Sequence, residues 1–247
     1  MTELWQFRFS PYNEKARWAL ALKGIPYTPR TVLPGPHMRT IRKLSGQQKT
    51  PVLVMDGIVT PNSADIVARL ETAFPDPPLM PGDAEGRERV LEIQRLFDDG
   101  FGPRIRRAVL DSMLGSPGYV ATVFAGDRGW LQRTVYRATL PLAAGLIRRG
   151  NGIGGAADVA DGIAAITDAM DFVSANTAAT GYLVGDRFTL ADMAAAATLA
   201  TVVNPDHPAM KRPEPMPSAT RALIERHAGH PAAGWVRRIY AAHRPLP

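Results

Sequence analysis

Three short motifs near the start of the chain place a polar side chain where it could contact a ligand. Ser10-Pro11 precedes a helical pattern, Thr50-Pro51 precedes an apolar run that suits a strand, and Asn62-Ser63 precedes a second helical pattern. Serine before a helix is a common N-cap, and proline is common at the first helical position because its missing amide hydrogen would be unpaired there anyway. The same helix end can also bind an anion through its free amides and its dipole. Ser10 is therefore a cap alone, or a cap and a ligand contact.

The other two motifs are equally ambiguous when each is taken alone. A proline at the first position of a strand is ordinary and is usually trans, so Thr50-Pro51 by itself indicates only a strand start. Asn62 with Asp65 could form a capping box, or Ser63 could cap the helix alone. A small sheet would nevertheless bring all three motifs to one edge if the elements around them follow the right order.

The first 76 residues predict the order β-α-β-α-β-β-α. Apolar and aromatic residues over 4–9 predict the first strand, and Ser10-Pro11 opens a helix that is closed by Gly24. An apolar run over 51–55 predicts a third strand, and the Asp56-Gly57 turn leads into a fourth. The remaining elements are a strand within 25–33, a basic helix over 38–44 and a helix over 62–74.

A proline- and aspartate-rich stretch, Pro75 to Asp83, is the best candidate for a domain boundary. Beyond it the apolar residues recur at helical spacing from 87 to 113, where Pro103 predicts a kink. Further helices are predicted over 158–176, 190–203, 217–227 and 235–243. We therefore predict an α+β protein with a first domain over residues 1–76, a linker over 77–86 and an all-helical domain over 87–247.

The chain of 247 residues contains no cysteine. This excludes disulfides, cysteine nucleophiles, thiolate metal sites and thiol-disulfide exchange by the protein itself. The histidines show no metal-ligand spacing within a helix, because His227 and His230 fall beside Gly229 and Pro231, so no metal site is predicted. Any sulfur chemistry would have to use a thiol that belongs to a bound molecule.

The formal net charge of +6 comes mainly from arginines that are spread along the chain. Nucleic-acid binding would need these residues gathered on one element, so we predict solvated helix faces and no nucleic-acid partner. A preference for anionic small molecules stays open. The N-terminus lacks the pattern of a signal peptide, and no uncharged run is long enough to span a bilayer. We expect a cytoplasmic protein without a membrane partner.

Four segments together resemble the soluble glutathione transferase family. They run from Ser10 to Tyr27, Gly46 to Leu53, Asn62 to Ile66 and Gly181 to Met193. The resemblance covers essentially the whole chain and implies a thioredoxin-like βαβαββα domain that binds glutathione, followed by a helical-bundle domain. In the last segment Thr189 and Asp192 match the family's hydroxyl-x-x-Asp box, which we expect to be a structural capping box.

The family divides by the residue that holds the thiolate of glutathione, which is tyrosine, serine or cysteine. Arg17 matches a family arginine; the tyrosine position, eleven residues earlier, is Gln6, and the serine or cysteine position, seven residues earlier, is Ser10. The resemblance therefore implies a Ser-type member in which Ser10 donates a hydrogen bond to the thiolate. A free thiol has a pKa of about 8.5, and a helix N-terminus with a hydroxyl donor favours its charged form.

The resemblance also assigns contacts along the rest of the tripeptide. The amides of Tyr12 or Asn13 would assist Ser10 at the thiolate. Thr50 would precede a cis-proline, Pro51, and its exposed backbone would pair with the cysteinyl residue of glutathione. Lys49 matches a position often used for the glycyl carboxylate.

At the other end of the tripeptide, Ser63 matches the residue that takes the γ-glutamyl carboxylate at a helix N-terminus. Asn62 stands where the family usually has Glu, Asp or Gln, so Asp65 or a partner chain would have to hold the γ-glutamyl ammonium. Family members usually pair as homodimers.

The implied activity is that of a glutathione transferase, whose bound thiolate attacks a small hydrophobic electrophile in a pocket between the domains. Phe97, Phe101 and Arg104 lie on the helix that would line this pocket, with core packing or a surface position as the alternative. A non-catalytic relative that binds a ligand or a protein is the other interpretation, which Asn62 and the unmatched segment over 115–155 favour.

Overall fold

The first domain is built on a four-stranded sheet with the strand order β2-β1-β3-β4. β1 is parallel to β2 and antiparallel to β3, and β3 forms an antiparallel hairpin with β4. In the computed structural model, which describes residues 1–246, these strands are Thr2–Gln6 (β1), Thr28–Thr31 (β2), Val52–Met55 (β3) and Ile58–Pro61 (β4). Three helices complete this part of the chain, Pro11–Leu22 (α1), His37–Ser45 (α2) and Ser63–Ala73 (α3). The predicted βαβαββα order is confirmed.

β1 ends earlier than its residue pattern suggests. The pattern predicts a strand through Phe9, but the sheet ends at Gln6. Phe7 instead packs edge-on against His37 of α2, with ring centroids 4.7 Å apart. Phe7, directly after Gln6, therefore packs between elements and does not continue the strand. An alternating pattern of apolar residues does not distinguish these two roles.

The rest of the chain is helical. Its helices are Ala84–Arg95 (α4), Gly102–Leu114 (α5), Pro117–Ala125 (α6), Trp130–Gly150 (α7), Ala156–Thr177 (α8), Leu190–Val203 (α9), Ser218–His227 (α10) and Pro231–His243 (α11). A π-helical turn, Leu96–Phe101, joins α4 to α5 without a break. The α+β fold class is confirmed, whereas the domain limits at 76 and 87 stay predictions.

Helix α9 forms the centre of the second domain. Thirteen of its fourteen residues are buried, and it packs against α1, α4 and α11. At its start the Asp192 carboxylate accepts hydrogen bonds from the amide of Thr189 (2.8 Å), from the Thr189 hydroxyl (2.9 Å) and from the amide of Leu183 (2.8 Å). Burial raises the pKa of Asp192 to about 6 in spite of these three bonds. The predicted capping role of this pair is confirmed.

Helix α1 is held between the two parts of the chain. The Trp18 indole donates a 2.8 Å hydrogen bond to the carbonyl of His243, the last residue of α11. The buried Glu14 carboxylate pairs with Arg17 of the same helix and with Arg244 of the tail. The helix that begins at the Ser10 motif is thus fixed on its far side by the C-terminal residues. Over residues 1–246, the apolar helices are all too short or too interrupted by charge to cross a bilayer.

Candidate functional site

Ser10 lies at the N-cap of α1 with an extended backbone (φ −152°, ψ 131°), and Pro11 is the first helical residue. The carbonyl of Ser10 accepts the amide of Glu14 at 2.8 Å, as expected at a helix start. Its hydroxyl, however, makes no hydrogen bond to an amide of the first turn. The structure therefore places Ser10 as a cap residue whose side chain is uncommitted to the helix and remains available to a ligand.

The first turn of α1 is joined directly to the Thr50-Pro51 motif. The Asn13 side-chain amide donates a 3.1 Å hydrogen bond to the Thr50 hydroxyl. The peptide bond between Thr50 and Pro51 is cis, as the resemblance predicts. Asn13 is fully buried, and its Oδ1 atom has no hydrogen-bond partner within residues 1–246. Two of the three motifs therefore meet at one edge of the sheet.

The third motif begins α3 beside the hairpin strand that pairs with β3. Asn62 is the N-cap and accepts the amide of Asp65 at 2.9 Å, with its own backbone in the left-handed half of φ space (φ 53°). Ser63 is the first helical residue and is buried. Of the two capping alternatives, Asn62 with Asp65 is the one that forms, which leaves the Ser63 hydroxyl free of a capping role.

Lys49 and Tyr12, two of the predicted glutathione contacts, differ in how accessible their side chains are to a ligand. Lys49 is exposed next to the cis-proline motif. Tyr12 turns its side chain away from Ser10 and donates a 2.7 Å hydrogen bond to the carbonyl of Asp98 in the second domain. Only the backbone amide of Tyr12 could serve a ligand at the start of α1, as the sequence-based hypothesis requires.

The Tyr12 hydroxyl donates to a backbone carbonyl oxygen that has no amide partner within the π-helical turn. In this turn the amide of Gly102 bonds to the carbonyl of Phe97, five residues earlier. The next amide in that series would belong to residue 103 and would bond to Asp98, but Pro103 has no amide hydrogen. The carbonyl of Asp98 is thereby left for Tyr12. The kink expected at Pro103 stays a prediction, and the carbonyl that Pro103 leaves without an amide partner accepts a hydrogen bond from the first domain.

Gly102 allows the tyrosine to approach the helix. A Cβ atom at residue 102 would lie 2.8 Å from the Tyr12 hydroxyl and 2.6 Å from the carbonyl of Phe97. On the same side, Lys15 of α1 is buried and forms an ion pair with Asp98. The start of α1 is therefore bound to the second domain at the π-helical turn, where a side chain at residue 102 would clash with the Tyr12 hydroxyl.

The segment over residues 117–150, here named the α6–α7 segment, contacts the first domain in the loop after β1 and at the end of β2. The ring of Phe124 packs edge-on against Phe7 with centroids 6.2 Å apart, and the Arg128 guanidinium donates to the carbonyl of Thr31. The Tyr136 hydroxyl donates a 3.3 Å hydrogen bond to the carbonyl of Pro34. The segment over 115–155 matched no sequence pattern. Pro141 lies inside α7, and only Tyr136 and Leu140 of that helix are buried.

The residues expected to line an electrophile pocket have other roles. Phe97 is fully buried and packs against Phe101 and Phe172, with ring centroids 5.3 Å and 6.0 Å away. Arg104 forms a two-pronged ion pair with Asp161 of α8. The core and surface alternatives are therefore correct for Phe97 and Arg104.

Two arginines that sequence reasoning did not connect with the site lie near Phe9 and near Tyr12. Arg8 is exposed in the loop before Ser10, with its guanidinium 5.5 Å from the centre of the Phe9 ring. Burial raises the pKa of Tyr12 to about 12, and the nearby Arg106 guanidinium opposes part of that rise. The Nε atom of Arg106 is buried and unpartnered within residues 1–246.

Comparison with known proteins agrees with this arrangement. Residues 4–78 match the family model of the glutathione S-transferase N-terminal domain. The first domain is a glutathione S-transferase N-terminal domain. The structure of a glutathione S-transferase from Rhodospirillum rubrum F11 superposes with a TM-score of 0.61 at 20% identity, covering 100% of this chain and 94% of that one. The glutathione S-transferase fold therefore extends over the helical part as well.

Curated relatives match about half of this chain. The chain is 33% identical over 128 residues to the maleylpyruvate isomerase of a Ralstonia species, which is 51% of this chain and 57% of the relative. It is 32% identical to a probable maleylacetoacetate isomerase of Caenorhabditis elegans, over 40% of this chain and 48% of the relative. The matched part thus spans about half the length of these relatives.

Proposed function

We propose that this protein is a glutathione-dependent enzyme in which Ser10 holds the thiolate of bound glutathione. The observation that carries the proposal is the uncommitted hydroxyl of Ser10 at the start of α1, in a turn that Asn13 joins to Thr50 beside the cis-proline. Capping serines commonly bond to an amide of their own helix, but neither Ser10 nor Ser116, at the start of α6, does so. Of these two, only Ser10 lies within residues 4–78, which match the glutathione S-transferase N-terminal domain.

The start of α1 has the groups needed to stabilise a thiolate. Lowering the pKa of a thiol from about 8.5 by about two units requires roughly 2.7 kcal/mol in favour of the charged form. The free amides of Tyr12 and Asn13, the helix dipole and one hydrogen bond from the Ser10 hydroxyl are together of this magnitude. Ser10 acts as a hydrogen-bond donor and takes no proton from the thiol.

The other predicted contacts follow the three motifs. The backbone of Thr50, held by cis-Pro51, would pair with the cysteinyl residue of glutathione, and Lys49 would meet the glycyl carboxylate. Ser63, whose hydroxyl has no capping role, would receive the γ-glutamyl carboxylate at the N-terminus of α3. The Asp65 carboxylate lies beside Asn62 and would face the γ-glutamyl ammonium.

For the reaction, we favour isomerisation of an activated cis double bond over conjugation of a hydrophobic electrophile. Curated relatives are named for isomerases of maleyl compounds, whose substrates carry carboxylates. The thiolate would add to one alkene carbon, and the electron pair of the double bond would move onto the neighbouring carbonyl as an enolate. After rotation about the new single bond, expulsion of the thiolate re-forms the double bond in the trans form and regenerates glutathione. Arg8, which is exposed in the loop before Ser10, would supply positive charge for such an acid.

Glutathione binding is tested by calorimetry, and thiolate formation by the ultraviolet absorbance of the bound thiolate as a function of pH. Ser10→Ala should raise the pKa of the bound thiol and lower turnover of maleylpyruvate at least about tenfold. Ser116→Ala is the matched control, because Ser116 precedes Pro117 at the start of α6 and also makes no capping bond.

Three results would contradict the proposal in whole or in part. Glutathione that gives no heat at millimolar concentration would support the non-catalytic interpretation, a ligand-binding or protein-binding module on the same fold. Unchanged turnover in Ser10→Ala would remove the role assigned to the hydroxyl. Turnover of an aromatic halide but not of maleylpyruvate would replace isomerisation by conjugation. Pairing of two chains in the family's homodimer arrangement stays a prediction.

A further inference from the structure

Helix α7 carries a row of large apolar side chains that are mostly exposed. Most of the large hydrophobic side chains exposed on the second domain belong to this helix, and Leu142 is 87% exposed. The exposed residues are Trp130, Leu131, Val135, Leu142 and Leu146. Single exposed leucines are ordinary, but a continuous row of them on one element marks an interaction surface.

The row lies on the side of α7 that faces away from the protein. Tyr136 and Leu140 are the buried residues of this helix. At 100° per residue, Leu131, Val135, Leu142 and Leu146 fall within a narrow band on roughly the opposite side. We name this band the α7 stripe. The helix is about 31 Å long, so the stripe offers a straight ridge rather than a pocket.

The α7 stripe reads the same in both directions. Leu131 and Leu146 are equally far from the midpoint between Ala138 and Thr139, and so are Val135 and Leu142. An antiparallel copy of the same helix, related by a two-fold axis at that midpoint, would place Leu131 against Leu146 and Val135 against Leu142. A two-fold contact requires a surface that is complementary to itself, and this spacing meets the requirement. We propose that α7 packs antiparallel against α7 of a second copy of this chain.

The positive charge on α7 is compatible with this register, but it makes the contact depend on ionic strength. The helix contains four arginines and no acidic residue. In the proposed register Arg133 lies opposite Ala144, Arg137 opposite Leu140 and Arg148 opposite Gly129, so no two arginines within α7 face each other. At the ends of the contact, Arg149 lies opposite Arg128, which precedes α7. The two basic helices still repel at longer range, and salt screens that repulsion. The contact between two copies should therefore strengthen as ionic strength rises. Binding of an acidic protein or an anionic lipid surface to α7 should instead weaken as ionic strength rises, because salt screens the attraction.

The contact is separate from the homodimer arrangement that the family resemblance implies, in which the first domain of one chain packs on the second domain of the other. Only α7 takes part in it. The inference does not depend on glutathione binding or on the role of Ser10, and the experiments below leave those residues unchanged.

Cysteine cross-linking tests the register directly, because the natural chain has no thiol that would interfere. Ala138→Cys, next to the two-fold axis, should form an intermolecular disulfide on mild oxidation. Val135→Cys mixed with Leu142→Cys should cross-link as a mixed pair. Leu142→Cys alone is the control, because its two copies would be offset by seven residues, about 10 Å along the helices.

Sedimentation equilibrium of the full chain tests the energetics. Leu142→Lys should raise the dissociation constant of the α7 contact roughly 100-fold or more, because two buried leucines are replaced by charges in each two-fold dimer. Thr134→Lys adds the same charge on an exposed position of α7 outside the stripe and should have a much smaller effect.

Several outcomes would overturn the proposal. One is self-association that Leu142→Lys leaves unchanged, which would assign any dimer to another surface. A second is cross-linking of Leu142→Cys alone as readily as the mixed pair. A third is a chain that stays monomeric at high salt and high concentration, and a fourth is a stripe that binds vesicles of phosphatidylserine and phosphatidylcholine but not a second copy.

Discussion

The side chain of Asn13 in α1 donates a 3.1 Å hydrogen bond to the hydroxyl of Thr50, the residue before the cis-proline. This single contact couples the helix end that carries Ser10 to the strand edge that would pair with glutathione. The remaining acceptor of Asn13 is buried and unpartnered within the described chain. A ligand or a water bound here would donate a hydrogen bond to the Oδ1 atom of Asn13. Asn13 would then contribute to ligand binding as well as to folding.

Thr50→Val should weaken glutathione binding through this link. The change keeps the shape of the side chain but leaves the buried Asn13 amide without an acceptor, which costs about 1–3 kcal/mol. We expect a higher KM for glutathione and a lower free energy of unfolding, measured by steady-state kinetics and urea denaturation. Thr50→Ser retains the hydroxyl and should behave like the natural protein; equal losses in both variants would contradict the role of the hydrogen bond.

Gly102→Ala should destabilise the contact between the domains. Its Cβ would lie 2.6 Å from the carbonyl of Phe97 and 2.8 Å from the Tyr12 hydroxyl, so the helix or the tyrosine must shift, at a cost of about 1–3 kcal/mol. Gly115→Ala is a matched control, since its Cβ would meet no atom within 4 Å. Thermal unfolding distinguishes the two variants, and an unaffected Gly102→Ala would show that the π-helical turn has spare room.

Stability should fall in acid through Glu14. Burial alone would raise the pKa of Glu14, but the guanidinium groups of Arg17 and Arg244 outweigh it and hold the pKa below the usual 4.5. A depressed pKa in the folded state means that the stability from this carboxylate is present above about pH 4.5 and is lost as the pH falls further. Glu14→Gln should flatten the dependence of the unfolding free energy on pH in that range.

Removal of the partner cation should be costly at neutral pH. Arg244→Met breaks a buried ion pair and should lower the free energy of unfolding by about 3–5 kcal/mol. Lys211→Met removes the exposed pair with Asp206 and should leave stability unchanged. If the two variants unfolded at the same denaturant concentration, the C-terminal residues would not be holding α1.

Thr189→Val should destabilise the protein more at neutral pH than in mild acid. The lost hydroxyl donates to the charged Asp192 carboxylate, so the cost is about 1–3 kcal/mol where that group is ionised. Burial raises the pKa of Asp192 to about 6, so below this pH the folded protein carries the proton and the lost bond matters less. Urea denaturation above and below this pH measures the difference, and Thr189→Ser should restore most of the loss at neutral pH.

The order of the elements and the ends of several helices could be predicted from local sequence. Pro11 at the start of α1 and the Asp56-Gly57 turn between β3 and β4 are set by residues that restrict their own backbone. The limits of α9 agree with the residue pattern, because Thr189 caps it and Asn204 ends it in the left-handed conformation.

The α6–α7 segment could not be predicted in this way. A helix is recognised by one apolar face and one polar face, and α7 instead has a buried side at Tyr136 and Leu140 and an apolar stripe on its exposed side. Pro141 in its interior adds a second signal against a helix. Tertiary contacts stabilise it here: α6 and α7 pack on each other and on α5, and Tyr136 donates to the carbonyl of Pro34 in the first domain.

Sequence alone determined which residues begin α1, the third strand and α3, and therefore which side chains are candidates for binding. Tertiary structure decided that Asn13 reaches Thr50, that Tyr12 takes the carbonyl freed by Pro103, and that Arg104 pairs with Asp161 on α8. The physical reason is the range of the interactions. Capping and turn formation act within a few residues of chain, whereas these contacts join residues 37 to 86 positions apart and exist only once the sheet and the helices have packed.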